Sequence, residues 1–237
     1  MWVWVHEHRP IDADAVAAFA QRHGVGEAFV SVPGAGPSAA TRRCVAALRE
    51  AGVRVSALGG DPAWVEGDDA VVWTRRAVDS GLFHGVHLDI EPWGRADWHG
   101  RKRELLAGLT RTVRDVAASV DLPVEVDLAP WLADEHPGAF AQIAAAAHAV
   151  TLMAYRDRAP AILAFSAAAR QLLADAGRPY RLGVETMPGL PAHVSFADDG
   201  RAVLEHELAL VADALVGEPG FAGLAVHDAE HWMALPQ

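Results

Sequence analysis

An α/β fold, a single (β/α)8 barrel spanning residues 1–237, is predicted by three features of the sequence. Eight short apolar runs rich in β-formers alternate one by one with seven helical patterns. No linker, low-complexity segment or second domain interrupts them. About half of the residues are apolar, enough for one large core. An open, doubly wound sheet is the alternative arrangement of the same alternation.

Each element has its own signal. "MWVWVHE" opens as a strand, and "DADAVAAFAQRHG" then repeats apolar residues at i, i+3 and i+4 before stopping at Gly, as an amphipathic helix does. The second strand is "EAFVSVP", followed by the helix "SAATRRCVAALREAG". "VRVSALGG" and "DDAVVWTRRAVDSG" repeat the pair, and "GVHLDIEPW" with "RKRELLAGLTRTVRDVAASV" repeats it again. "VEVDLAPW", "PGAFAQIAAAAH", "AVTLMAY" and "PAILAFSAAARQLLADAG" give the fifth and sixth repeats. "RLGVETMP", "GRAVLEHELALVADALVG" and the last strand "GLAVHDAEHW" complete the series. Few residues follow, so the last outer helix is expected to be short or missing. The flank left bare there is a surface for a second copy of the chain to cover.

The formal charge of −11, from 31 acids against 20 Lys and Arg, argues against a nucleic-acid or anionic-membrane partner. The basic stretch "GRKRELL" reads as a solvated helix face. The one cysteine, Cys44, sits on a helical apolar stripe with no disulfide partner. The start carries no basic leader before an apolar run, and no stretch of about 20 apolar residues is present, so a cytoplasmic protein is expected.

In a barrel of this kind, residues at the carboxyl ends of the strands point into the mouth where active sites are built. Those ends carry His6 and His8 (first strand), His87, Asp89 and Glu91 (fourth), Asp127 and Trp131 (fifth), and Tyr155 and Asp157 (sixth). Glu185 ends the seventh, and His227, Asp228 and Trp232 the eighth. Trp93 follows Glu91-Pro92. Alternate residues of a strand share a face, so His87, Asp89 and Glu91 point the same way, and Val86, Leu88 and Ile90 suit the layer between barrel and helices. Two carboxylates within reach of each other repel, which raises one pKa and keeps a proton available for a leaving group. Aromatics at several strand ends offer stacking faces for sugar rings. No Gly-rich phosphate loop or Arg cluster at a helix start is seen, so carbohydrate is the expected ligand and no cofactor is expected.

"GVHLDIEPW" resembles the strand-four motif D-x-x-D-x-D-x-E of the chitinase-like family 18 glycoside hydrolases, with His84, His87, Asp89 and Glu91 in that register. "LMAYRD" resembles the family's strand-six motif through Met153 and Tyr155, with Arg156 inserted before Asp157. The resemblance implies a glycosidase acting on a small or intracellular, N-acetylated glycoside. Glu91 would protonate the glycosidic oxygen, Asp89 would orient the substrate's N-acetyl group, and Tyr155 would hydrogen-bond that group as it attacks the anomeric carbon. Trp232 would floor the sugar site, and His87, Trp93, Asp127, Trp131, Asp157 and His227 would line it. Two aspartates of the motif are histidines here, and the chain is shorter than a typical chitinase.

Other readings use other residues. Glu91-Pro92 with Glu185 is similar to the acid/base and nucleophile of a large clan of retaining glycosidases, although Ile90 stands where that clan has asparagine. Carboxyls about 5 Å apart would retain configuration, and about 6.5–9.5 Å would invert it. His6, His8 and Asp228 resemble part of a metal-dependent amidohydrolase site, but Asp127 and Tyr155 hold the ends where further histidines are needed, so no metal is expected. A carbohydrate-binding or scaffold barrel without turnover is the non-enzymatic reading. The quiet alternatives are structural roles for His6, His8, His84 and His87 and packing roles for Trp2, Trp4, Trp64 and Trp73. Asp127 would then pair with a histidine or Arg156, and Asp157 would cap the next helix.

Overall fold

A computed structural model describes residues 1–9 and 11–237. All eight expected strands form one sheet in chain order, with helices between them, so the fold is the (β/α)8 barrel read from the sequence. By internal contacts the chain divides into two compact units. One holds Val3–Asp127 with Ala146–His148. The other holds Met1–Trp2, Leu128–Ala145 and Ala149–Gln237.

The first unit carries β2 (Glu27–Ser31), β3 (Arg54–Gly59), β4 (Gly85–Leu88) and β5 (Val124–Leu128), paired in parallel with Ala57 opposite Val86 and His87 opposite Glu125. Its helices are α1 (Ala13–Arg22), α2 (Ala39–Glu50), α3 (Asp69–Val78) and α4 (Trp98–Ser119). Asp12 and Ser38 cap the first two by accepting from Ala15 N and Thr41 N, which satisfies donors a helix start leaves open. The apolar stripes read from the sequence are the buried faces: Val16, Phe19 and Ala20 on α1, Cys44, Val45 and Leu48 on α2. Val86, Leu88 and Ile90 are wholly buried, as the alternation along the fourth strand requires.

The second unit carries β6 (Ala149–Met153), β7 (Tyr180–Glu185) and β8 (Phe221–His227), also parallel. Its helices are α5 (Trp131–Glu135), α6 (Pro137–Ala146), whose last residue falls in the first unit, α7 (Ala159–Asp175), α8 (Arg201–Leu215) and α9 (Ala229–Ala234). The last helix is a 6-residue remnant, as expected. At the start of β7 the Tyr180 hydroxyl and the Arg170 guanidinium both bond Glu218, tying β7 to α7 and to the turn after α8. The remaining strand is β1 (Trp2–Val3). No helix among the described residues is long and apolar enough to cross a membrane.

Candidate active site

In the first unit the site is built on β4 and the turn beyond it. His87 is wholly buried, and its ring lies flat on Phe29 of β2, with centroids 3.7 Å and planes 16° apart. Nε2 is 2.8 Å from Oδ1 of Asp127, and Nδ1 is 3.5 Å from Oε2 of Glu125, two residues earlier on β5. Burial alone would lower the imidazole pKa, but the charges and hydrogen bonds of these two carboxyls outweigh it and raise the value to about 9. At neutral pH His87 is therefore an imidazolium, and its Nε2–H donates to Asp127.

Asp89 lies beyond His87 on the same face. Its Oδ1 is buried and has no hydrogen-bond partner. Burial first, then the negative charges of Asp127 and Glu91, hold its pKa well above the ordinary carboxyl value, with His87 opposing. Glu91 is half-buried, and its Oε2 accepts from the Trp93 indole N–H at 2.8 Å. Pro92 presets the backbone of the 3-10 turn Pro92–Gly94 that carries this tryptophan.

The neighbouring strand end fixes that turn. Asp89 N donates to Gly59 O at 3.0 Å, and the next residue, Gly60, has no room for a side chain, because a Cβ there would stand 1.7 Å from Asp89 O. Farther out, Arg95 spans Asp97 and Glu66 at 2.8 and 2.9 Å, and Arg101 joins the same two acids. These ion pairs hold the segment after Trp93 against the turn after β3.

His84 heads the same motif but does other work. Its Nδ1 accepts from Val55 N at 3.0 Å, and its own N–H donates to Val55 O, at the opposite end of β4 from Glu91. His148, before β6, holds Val124 in the same way. Both are structural histidines.

In the second unit, Glu185 at the end of β7 is 3% exposed. Its Oε1 accepts from Thr186 N and Met187 N, both at 2.8 Å, and lies 3.0 Å from Nδ1 of His227 on β8. The His227 ring stands edge-on to Trp2 at 5.6 Å and lies 6.2 Å from Tyr155. Glu185, His227 and Tyr155 are thus brought together. Asp157 lies 3.4 Å from Arg158, which is itself the N-cap residue of α7, so Asp157 does not cap that helix. Trp131 begins α5, its ring edge-on to His136 at 6.5 Å, and Trp232 is buried on α9.

The residues of the metal reading are placed differently. His6 and His8 are exposed, while Asp228 caps α9 by accepting from His231 N at 3.1 Å and bonding its ring Nδ1 at 3.0 Å. Among the described residues no group of three or more His, Cys, Asp or Glu is arranged to hold a metal ion.

Neither a family model nor a curated protein matches the sequence. Solved structures do. A class V chitinase from Pseudomonas fluorescens Pf-5 aligns with a TM-score of 0.63 at 13% identity, over 99% of this chain and 97% of its own. A GH113 β-mannanase from Alicyclobacillus acidocaldarius aligns at 0.64 and 14%, over 96% and 85%. A family 18 chitinase from Crocus vernus aligns at 0.57 and 13%, over 99% and 94%. The chain shares its fold with TIM-barrel glycoside hydrolases. At 13–14% identity the likeness is one of fold.

Two groups in the barrel were not anticipated by the motif. Glu125 faces His87 from one pleat deeper on β5, and Phe29 stacks on the same ring from β2. The alternation in "VEVDL" was the available signal, since it puts Glu125 and Asp127 on one face. Chemically, the row offers a histidine paired with Asp127, a carboxyl on Asp89 whose pKa is raised, and a carboxyl at its outer end, Glu91, oriented by an indole.

Proposed function

We propose that the protein is a glycoside hydrolase-like enzyme for a small, N-acetylated glycoside, with Glu91 as general acid. The observation that supports this most is the carboxyl of Asp89, whose Oδ1 is buried without a hydrogen-bond partner and whose pKa is held well above the ordinary value by burial and by the charges of Asp127 and Glu91. The negative charge of Glu91 makes Asp89 harder to ionise, so a proton is held more tightly at this pair than at a solvated carboxyl. The indole N–H marks Oε2 of Glu91 as an acceptor and holds the carboxyl in place for proton transfer.

In this reading the acetamido oxygen of the substrate attacks the anomeric carbon as the glycosidic C–O bond breaks. Glu91 gives its proton to the departing oxygen. Asp89 holds the acetamido N–H, and water then opens the cyclic intermediate with Glu91 taking a proton back. Glu185 has its Oε1 engaged by two backbone donors and His227, which favours a positioning role for it over that of nucleophile.

The test is a panel of aryl glycosides with and without the 2-acetamido group. Hydrolysis confined to acetamido sugars, and lost in Asp89→Asn, is the expected result. Equal hydrolysis of sugars lacking that group would favour Glu185 as a covalent nucleophile. Binding of sugars without turnover would favour the lectin-like barrel.

A further inference from the structure

The seventh and eighth strands end on a matched pair. Glu185 stands opposite His227 in the register of β7 and β8, and its Oε1 lies 3.0 Å from Nδ1 of that ring. We infer that His227 is a substrate-binding residue: Glu185 holds the neutral ring with its hydrogen on Nδ1, so that Nε2 accepts a hydrogen bond from a sugar hydroxyl. This contact rests on the proposed glycosidase reading and deepens it, by naming a group that selects for a hydroxyl.

The hydrogen-bond pattern assigns the tautomer. Thr186 N and Met187 N both donate to Oε1 of Glu185 at 2.8 Å, so this oxygen is an acceptor, and the hydrogen between it and Nδ1 belongs to the ring. In a neutral imidazole one nitrogen carries the hydrogen and the other accepts. A carboxyl oxygen of this kind at Nδ1 therefore makes Nε2 the acceptor. Exposure then separates the roles of the two residues. The Glu185 side chain is 4% exposed and that of His227 12%, so a ligand reaching this strand end meets more of the ring than of the carboxyl.

The ring is also fixed in place. His227 O accepts from both the N–H and the hydroxyl of Thr186 at 2.7 Å, and the ring stands edge-on to Trp2 with centroids 5.6 Å apart. Backbone and side chain are thus held by different partners, and an acceptor already ordered loses little freedom when a ligand arrives. A hydroxyl suits it, because sugars carry O–H donors around the ring. A site built to receive one rejects an analogue that lacks it, since the acceptor is then covered by the ligand without a donor.

The experiment is NMR of the full chain with 15N-labelled histidine, at the pH of the glycosidase assay. The ligands are methyl 2-acetamido glycosides of gluco and galacto configuration and a set from which each hydroxyl is removed in turn. The same sugars are titrated into wild type and His227→Asn, which keeps an N–H for Glu185 and has no atom in the place of Nε2. Expected is a His227 ring protonated at Nδ1 alone, whose Nε2 resonance shifts with a parent sugar and stays still with one particular deoxy analogue. Wild type should bind that analogue ~5-fold or more weakly than the parent, and His227→Asn should bind the two alike. A hydrogen on Nε2, or an Nε2 resonance that no sugar moves, overturns the inference. So does a variant in which each missing hydroxyl costs what it costs in wild type. Should His227→Asn fail to fold, the wild-type titration decides. Turnover of acetamido glycosides with an unmoved Nε2 resonance would sink the inference and leave the glycosidase reading standing; sugar bound at Nε2 without turnover would do the reverse.

Discussion

The indole N–H of Trp93 donates to Oε2 of Glu91 across 2.8 Å, two residues along the same turn. The bond fixes one oxygen of the carboxyl as acceptor. Because a rigid indole set by Pro92 supplies the donor, little side-chain freedom remains to be lost when substrate arrives.

Trp93→Phe keeps a flat ring and removes the donor. A hydrogen bond to a charged or charge-sharing group contributes about 1.5–3 kcal/mol, so kcat is expected to fall by roughly 10- to 100-fold, with a much smaller change in thermal midpoint. Steady-state kinetics and a melting curve on the same preparation check it.

Gly60 tests the backbone rather than the chemistry. A Cβ there would stand 1.7 Å from the carbonyl oxygen of Asp89, and backbone cannot give way as a flexible side chain can. Gly60→Ala should lower stability by about 1–3 kcal/mol and reduce activity by displacing the Asp89–Glu91 pair. At Gly67 an added Cβ meets nothing within 4 Å, so Gly67→Ala should leave both nearly unchanged. Chemical denaturation of the two variants side by side makes the comparison.

Much of this architecture is legible in the chain because helices and strands impose different periods on apolar residues. Where the reading ran long, a specific group stopped the ladder. "MWVWVHE" reads as a seven-residue strand, but β1 ends at Val3, and Val5 N turns to the hydroxyl of Ser31 at 2.8 Å. In "VEVDLAPW" the strand stops at Leu128, since Pro130 has no N–H for a ladder and opens α5 instead. The motif set His84 and His87 in one register with Asp89 and Glu91 and gave no means of separating the two histidines. One is a backbone acceptor at the foot of the strand and the other a buried cation, a difference made by β3 and β5, far away in sequence.

Stability should fall as the solution becomes alkaline. His87 has a folded pKa of about 9 against an ordinary 6.5, so its contribution is fully present below pH 6.5 and is lost as pH rises through 9. The raised pKa of Asp89 acts in the same direction from a lower starting pH. For His87 the loss is on the order of 3 kcal/mol. Urea denaturation at pH 6 to 9 should show the decline in wild type and a flatter profile in His87→Gln.

Glu185→Gln retains an oxygen for Thr186 N and Met187 N. If Glu185 positions His227, turnover of acetamido glycosides should stay within about tenfold of wild type, since general-acid help is supplied elsewhere. A loss of several orders of magnitude, with a trapped glycosyl-enzyme detectable by mass spectrometry, would make Glu185 the nucleophile.

The central claim is that Glu91 donates the proton, and Glu91→Gln tests it most directly. The amide keeps the shape and an acceptor for Trp93 but has no proton to transfer. Turnover of an aryl 2-acetamido glycoside at neutral pH should drop by ~10²–10⁴ while the thermal midpoint and the affinity for the unreacted sugar hold. Undiminished hydrolysis by the purified, folded variant would contradict the account.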